Sequence, residues 1–226
     1  LNQKALAGEY DITKMSFHAY LMARESYRLL SAGAALGFGC GPIVVADGKL
    51  TREDLETCRV AIPGELTTAH LLFRLWAPNA QNKLFTTYDE IMDIVRRGEA
   101  DAGVIIHEGR FVFEQAGFQS VVDLGQWWED ETSLPIPLAG IAIRKELGET
   151  LAKDFDALMK QSLLEARKSP ADALPYIRQH AQEMEEDVLH QHIETFVNDH
   201  SLRLNDSDRA AIDRLESMAR DAGIIS

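Results

Sequence analysis

A histidine at the end of an apolar run is the first feature with chemical potential. Gly103-Val104-Ile105-Ile106 reads as an interior strand, and His107 follows it directly. In open α/β sheets ligands bind beyond the carboxyl ends of the strands, so a side chain there is well placed. Imidazole titrates near neutral pH, which suits proton transfer. A purely structural hydrogen bonder is an equally ordinary role for a lone histidine. Glu108 could orient the ring, but it reads better as a solvated neighbour.

Two further stretches pair a strand end with a helix start. After the strand ending at Ile62 comes Pro63-Gly64-Glu65-Leu66-Thr67-Thr68-Ala69. A glycine turn feeding a hydroxyl-bearing helix start leaves backbone N–H groups and a helix dipole to hold a carboxylate. Thr13-Lys14-Met15-Ser16 has the same form, with Lys14 and Ser16 as added ligand groups. Simple capping by Thr67 and Ser16, beside a solvated Lys14, is the plain alternative in each case. If both starts face one cleft, they place local positive potential in a protein of net charge −13.

Other signals are weaker. Gly37-Phe38-Gly39-Cys40-Gly41-Pro42 is glycine-rich, but a proline and a strand follow it, so it lacks a dinucleotide fingerprint and reads as a tight crossing loop. His190 and His192 are two apart on a predicted helix and do not share a face. Glu186 and His190 have helical spacing but need further ligands to hold a metal. Phe111 stands where an HExxH motif starting at His107 would need its second histidine. No metal and no cofactor is expected. Trp127-Trp128 reads as a pair packing a loop onto the core, rather than as the wall of an aromatic site.

These residues need elements to hold them. Leu1 to Ala7 has a helical pattern, Tyr10 to Met15 reads as a strand, and Ser16 opens a helix. Leu29 to Leu36 and Pro42 to Ala46 read as strand regions. Cys58–Ile62, Thr67–Leu75, Lys83–Thr86, Tyr88–Arg97 and Gly103–Ile106 then form a βαβαβ series. Val121–Leu124 is a further strand, and Ala139–Ile143 follows a Pro135/Pro137 crossing. The rest is helical. Its apolar stripes are Leu151/Phe155/Leu158/Met159, Val188/Leu189/Ile193/Phe196 and Ile212/Leu215/Met218. The pattern predicts an α/β fold of two lobes. Residues 1–46 and 139–226 make lobe 1, and residues 47–138 form an inserted lobe 2, with a ligand cleft between them.

Composition narrows the partner. The acidic balance argues against nucleic acid, whose phosphates demand a basic surface. No apolar run approaches the roughly 20 residues of a membrane span. Cys40 and Cys58 lack metal-ligand spacing and read as free thiols in a reducing compartment. No secretory signal pattern is visible at Leu1.

The stretches "GEYDITKMSFHAY", "GAALGFGCGPIVVA", "VAIPGELTTAHLL", "VIIHEGRF", "DLGQWWE", "LPIPL" and "FVNDHSL" occur in this order. Together they resemble the 1,4-dihydroxy-6-naphthoate synthase family across essentially the whole chain. The resemblance implies a type II periplasmic-binding-protein fold in a cytoplasmic enzyme of menaquinone biosynthesis. It implies conversion of cyclic dehypoxanthinyl futalosine to 1,4-dihydroxy-6-naphthoate with release of dihydroxyacetone. It makes His107 the proton acceptor, and Lys14, Met15, Ser16, Thr68 and Ala69 the contacts to a small aromatic carboxylate. A monomer or homodimer is expected.

One departure stands out. Family members open with a strand and a Pro-, Asn- and Asp-containing loop that have no counterpart here, so lobe 1 is expected to lack a sheet strand. Two rival readings remain: a non-catalytic solute-binding protein for a small aromatic acid, and a chorismate dehydratase of the same pathway. The fold alone does not separate them.

Overall fold

Alternation of short β-branched runs with amphipathic stretches produces two sheets flanked by helices. The computed structural model describes residues 1–180 and 185–226. In chain order come α1 (Asn2–Leu6), β1 (Ile12–Ser16), α2 (Phe17–Ala23), β2 (Tyr27–Leu29), β3 (Ala35–Gly37) and β4 (Ile43–Ala46). Then follow β5 (Val60–Ile62), α3 (Thr68–Trp76), β6 (Lys83–Phe85), α4 (Ile91–Arg96), β7 (Ala102–Ile105), α5 (Gly109–Val112) and β8 (Gln119–Asp123). The chain continues with α6 (Leu124–Thr132), β9 (Ile136–Arg144), α7 (Gly148–Lys168), α8 (Pro170–His180), α9 (Glu186–Phe196), α10 (Asp199–Leu202) and α11 (Asp206–Asp221).

The first sheet is built on β9. It pairs antiparallel with β1, β2 and β3, and among the described residues β1 has no other partner strand. The second sheet has the order β6-β5-β7-β4-β8. Its β5, β6 and β7 run parallel, as a βαβαβ series requires. Antiparallel β4 then fits between β7 and β8.

The lobe boundaries expected at 46/47 and 138/139 differ from the sheet membership. Ile43–Ala46 is fully buried and hydrogen-bonded between β7 and β8, so these residues belong to the second sheet. An all-apolar four-residue run suits an interior strand covered on both faces. The crossing therefore falls at Pro42. On the return, Ile136 and Pro137 already pair with β3, so the first sheet resumes before residue 139.

The C-terminal third is helical where described, and residues 181–184 of that expected region lie outside the described residues. Its third stripe is a core face: Ile212 and Leu215 are buried and Met218 packs against them. The first stripe differs. Leu151 and Leu158 are exposed, while Ala152 and Phe155 face the first sheet beside Ile143. Asn198 ties the helices to the sheet, since its amide donates to the Leu36 carbonyl at 2.8 Å and its side chain caps α10. No helix among the described residues is long and apolar enough to cross a membrane.

Candidate active site

The two helix starts lie side by side. Ser16 caps α2, with its Oγ accepting from the Ala19 N–H at 3.0 Å and donating to the Leu66 carbonyl. Thr67 caps α3 through the His70 N–H. Thr68 joins the two helices: its hydroxyl accepts from the Phe17 N–H at 2.9 Å and donates to the Leu138 carbonyl at 2.6 Å. Both hydroxyls are thus committed to the protein. What α3 leaves open is backbone, because the Thr68 and Ala69 N–H groups have no partner among the described residues. At a helix N-terminus such groups favour an anion.

Lys14, Met15, Ser16, Thr68, Ala69 and His107 all line one cavity of about 500 Å³. That size suits a small ligand, since such pockets run to about 300–1,000 Å³. Lys14 meets water in this cleft, yet enough protein surrounds it for burial to lower its pKa.

His107 sits just past β7 with φ at 56°, in the left-handed region. This lifts its ring out of the strand line and into the cavity. Tyr88 meets the ring edge-on, with centroids 4.9 Å apart. The imidazole has no hydrogen-bond partner among the described residues. Burial first, and then the charges of Lys14 and His192, push its pKa down to about 4. It is therefore neutral at pH 7, with a lone pair available to a ligand.

Sequence spacing did not reveal the opposite wall. His192 on α9 lies nearly parallel to His107, with centroids 5.8 Å apart and planes inclined by 28°. Phe196, one turn further on, touches both rings. The spacing Leu189, His192, Phe196 marks one helical face and was the available signal. Glu108 does not orient His107. Its carboxylate lies 3.7 Å from His192 Nδ1 and so serves the other histidine. Burial lowers the pKa of His192, while Glu108 opposes that shift.

Other candidates fall outside the chemistry. Trp128 is fully buried and donates to the Pro135 carbonyl at 3.1 Å, as a packing residue. Cys40 lines the cavity, but burial pushes its thiol up to about 12, far from a reactive thiolate. Both cysteines are free. Arg110 donates to the Gly41 carbonyl and to Asp123, each at 2.7 Å, and so fixes the crossing loop against the cap of α6.

A family model described as Menaquinone biosynthesis matches residues 1–221. The chain belongs to that family. Among its curated relatives, a 1,4-dihydroxy-6-naphthoate synthase of Thermus thermophilus is 43% identical, covering 99% of this chain and 81% of that protein. A synthase of the same name from Streptomyces coelicolor is 39% identical, covering 99% of this chain and 80% of its own. A crystal structure of a protein from Archaeoglobus fulgidus superposes with TM-score 0.94 at 35% identity, covering 100% of this chain and 84% of that one. The periplasmic aliphatic sulphonate binding protein SsuA of Escherichia coli superposes with TM-score 0.63 at 12% identity, covering 99% and 78%. This menaquinone-biosynthesis chain therefore has the two-lobed periplasmic-binding-protein fold.

Proposed function

We propose that this chain converts cyclic dehypoxanthinyl futalosine to 1,4-dihydroxy-6-naphthoate and dihydroxyacetone, as a carbon–carbon lyase with His107 as general base. The family and the names of the two synthase relatives support the naphthoate as product, and the motif resemblance implies the substrate and the released fragment. The observation that carries the role of His107 is its neutral, unpartnered imidazole in the same cavity as two free N–H groups of α3.

The substrate's carboxylate takes the Thr68 and Ala69 N–H groups, with the Lys14 cation near it. Met15 and Ser16 shape the wall beside them. His107 accepts a hydroxyl proton from the sugar-derived part. The O–H electron pair becomes a carbonyl, and the adjacent C–C bond breaks. Its electron pair passes to the departing three-carbon fragment as an enolate, which takes up a proton. No net electrons are exchanged, and aromatisation of the remaining bicycle drives the step forward. Closing lobes exclude water from the site. In this reading the step takes place in the cytoplasm.

The test is incubation of the purified chain with cyclic dehypoxanthinyl futalosine, following the naphthoate's absorbance and the dihydroxyacetone released. Equal amounts of both products are expected. Tight binding of the naphthoate without turnover would favour a solute-binding role instead, and water loss from chorismate would favour a dehydratase.

A further inference from the structure

One cluster in the cleft joins the proposed base to two residues that the reaction does not use, Glu108 and His192. His107, Glu108 and His192 each present one ligand atom, and the three lie within 4.8 Å of one another. They come from two sources: His107 and Glu108 follow β7 of the second sheet, while His192 is carried by α9. We propose that these three residues form a zinc-binding clasp across the cleft, which occupies the His107 lone pair and so excludes turnover while the ion is bound.

The donor set fits the ion. Two imidazoles and one carboxylate are borderline ligands that suit zinc, and three protein ligands leave a fourth position open. Metal ligands must be deprotonated. Both histidines are held toward the neutral form by burial. Glu108 adds the negative charge.

The geometry is nearly assembled. Ligands on a tetrahedral zinc stand about 3.4 Å apart, so the cluster needs to contract by little more than 1 Å. A small closing movement of α9 toward the β7 end accomplishes this. Tyr88 and Phe196 flank the rings and shield them from solvent. Lys14 opposes a cation here, and the clasp is correspondingly one of moderate affinity that a chelator can empty.

A competing surface pair provides the control. Glu186 and His190 approach to 3.8 Å on α9, but they offer only two ligands on an exposed face.

The experiment is a calorimetric titration of the full chain with zinc chloride at neutral pH, with cobalt(II) as a spectroscopic substitute. One ion per chain is expected, with the visible bands of tetrahedral cobalt. His192→Ala and Glu108→Gln should each weaken binding at least about ten-fold, whereas His190→Ala leaves it unchanged. Circular dichroism melts establish that both variants fold, and Glu108→Gln decides the question if His192→Ala does not. Unchanged affinity in Glu108→Gln and His192→Ala, or loss of binding in His190→Ala, overturns the clasp. The exclusion of turnover rests on the proposed reaction and is read separately. Zinc should suppress naphthoate formation by wild type and a chelator restore it. Zinc bound through His192 with turnover unaffected overturns that part. A wild type that binds zinc but makes no naphthoate refutes the reaction, not the clasp.

Discussion

Gly41 and Gly125 pass each other backbone to backbone: a Cβ on Gly41 would lie 2.2 Å from the Gly125 Cα and 2.4 Å from its nitrogen. The contact joins the crossing loop before β4 to the start of α6, and Arg110 holds both sides of it. Neither backbone can yield without moving a strand or a helix.

Gly41→Ala should therefore destabilise the fold by about 3 kcal/mol, the upper part of the range for overpacking. Gly39→Ala is the comparison. Gly39 has φ at 65° but no atom within 4 Å of its would-be Cβ, so only backbone strain of about 1–2 kcal/mol applies. Urea midpoints of the two variants measure the difference. Equal losses would mean that the Gly41 contact relaxes freely.

His107→Asn should lower the rate of naphthoate formation by about 10²- to 10⁴-fold, the usual worth of a general base. Binding of the naphthoate product should persist, because the N–H groups proposed to hold its carboxylate belong to α3. Asparagine is the better probe than alanine. It tolerates the left-handed backbone that position 107 requires, so the loop keeps its course. Retention of near-wild-type turnover would exclude His107 as the base.

Thr68→Val keeps the shape of the side chain but strands two groups, the Phe17 N–H and the Leu138 carbonyl. Leaving buried polar groups unsatisfied costs about 1–3 kcal/mol each. Chemical denaturation should show a loss of that order, whereas Thr68→Ser retains the bonds and most of the stability.

His70 sets a pH dependence of stability. It is buried, its Nδ1 lies 2.7 Å from the Glu65 carbonyl, and its Nε2 has no partner. Burial first depresses its pKa from 6.5 to about 4. Between those values the unfolded chain binds a proton that the folded chain does not, so stability rises with pH across that window. The contribution is fully present above about pH 6.5 and is lost as pH falls toward 4, amounting to about 3 kcal/mol. His107, depressed to the same value, adds a slope of the same sign. His70→Phe should flatten the dependence measured by denaturation at pH 7 and pH 4.5. An unchanged slope would show that burial does not depress the His70 pKa.

Local signals were readable from the sequence where the physics is local. Ser16 and Thr67 are caps because a hydroxyl before a helix satisfies its first N–H groups. The βαβαβ series followed from apolar period and strand length, and His107 from its place after a buried run. What sequence could not supply is what distant segments bring. His192 was set aside because it and His190 do not share a helix face, yet α9 carries it to His107. Ile43–Ala46 was placed on the wrong side of the crossing, since an interior strand reads the same whichever sheet it enters. Ser16 reads as a ligand group and Thr68 as a substrate contact, but the bonds of their hydroxyls to Leu66, Phe17 and Leu138 become visible only in three dimensions.

The Thr68 hydroxyl has a consequence for how the molecule is completed. It binds a residue near the start of the chain, Phe17, and one in β9, Leu138. Contacts of such sequence separation form late, after loop closure has been overcome. A chain with only one sheet assembled has no cavity wall, and so no site. Ligand binding is therefore a report on the finished molecule: during refolding it should appear in the last kinetic phase, after the helical signal is already established.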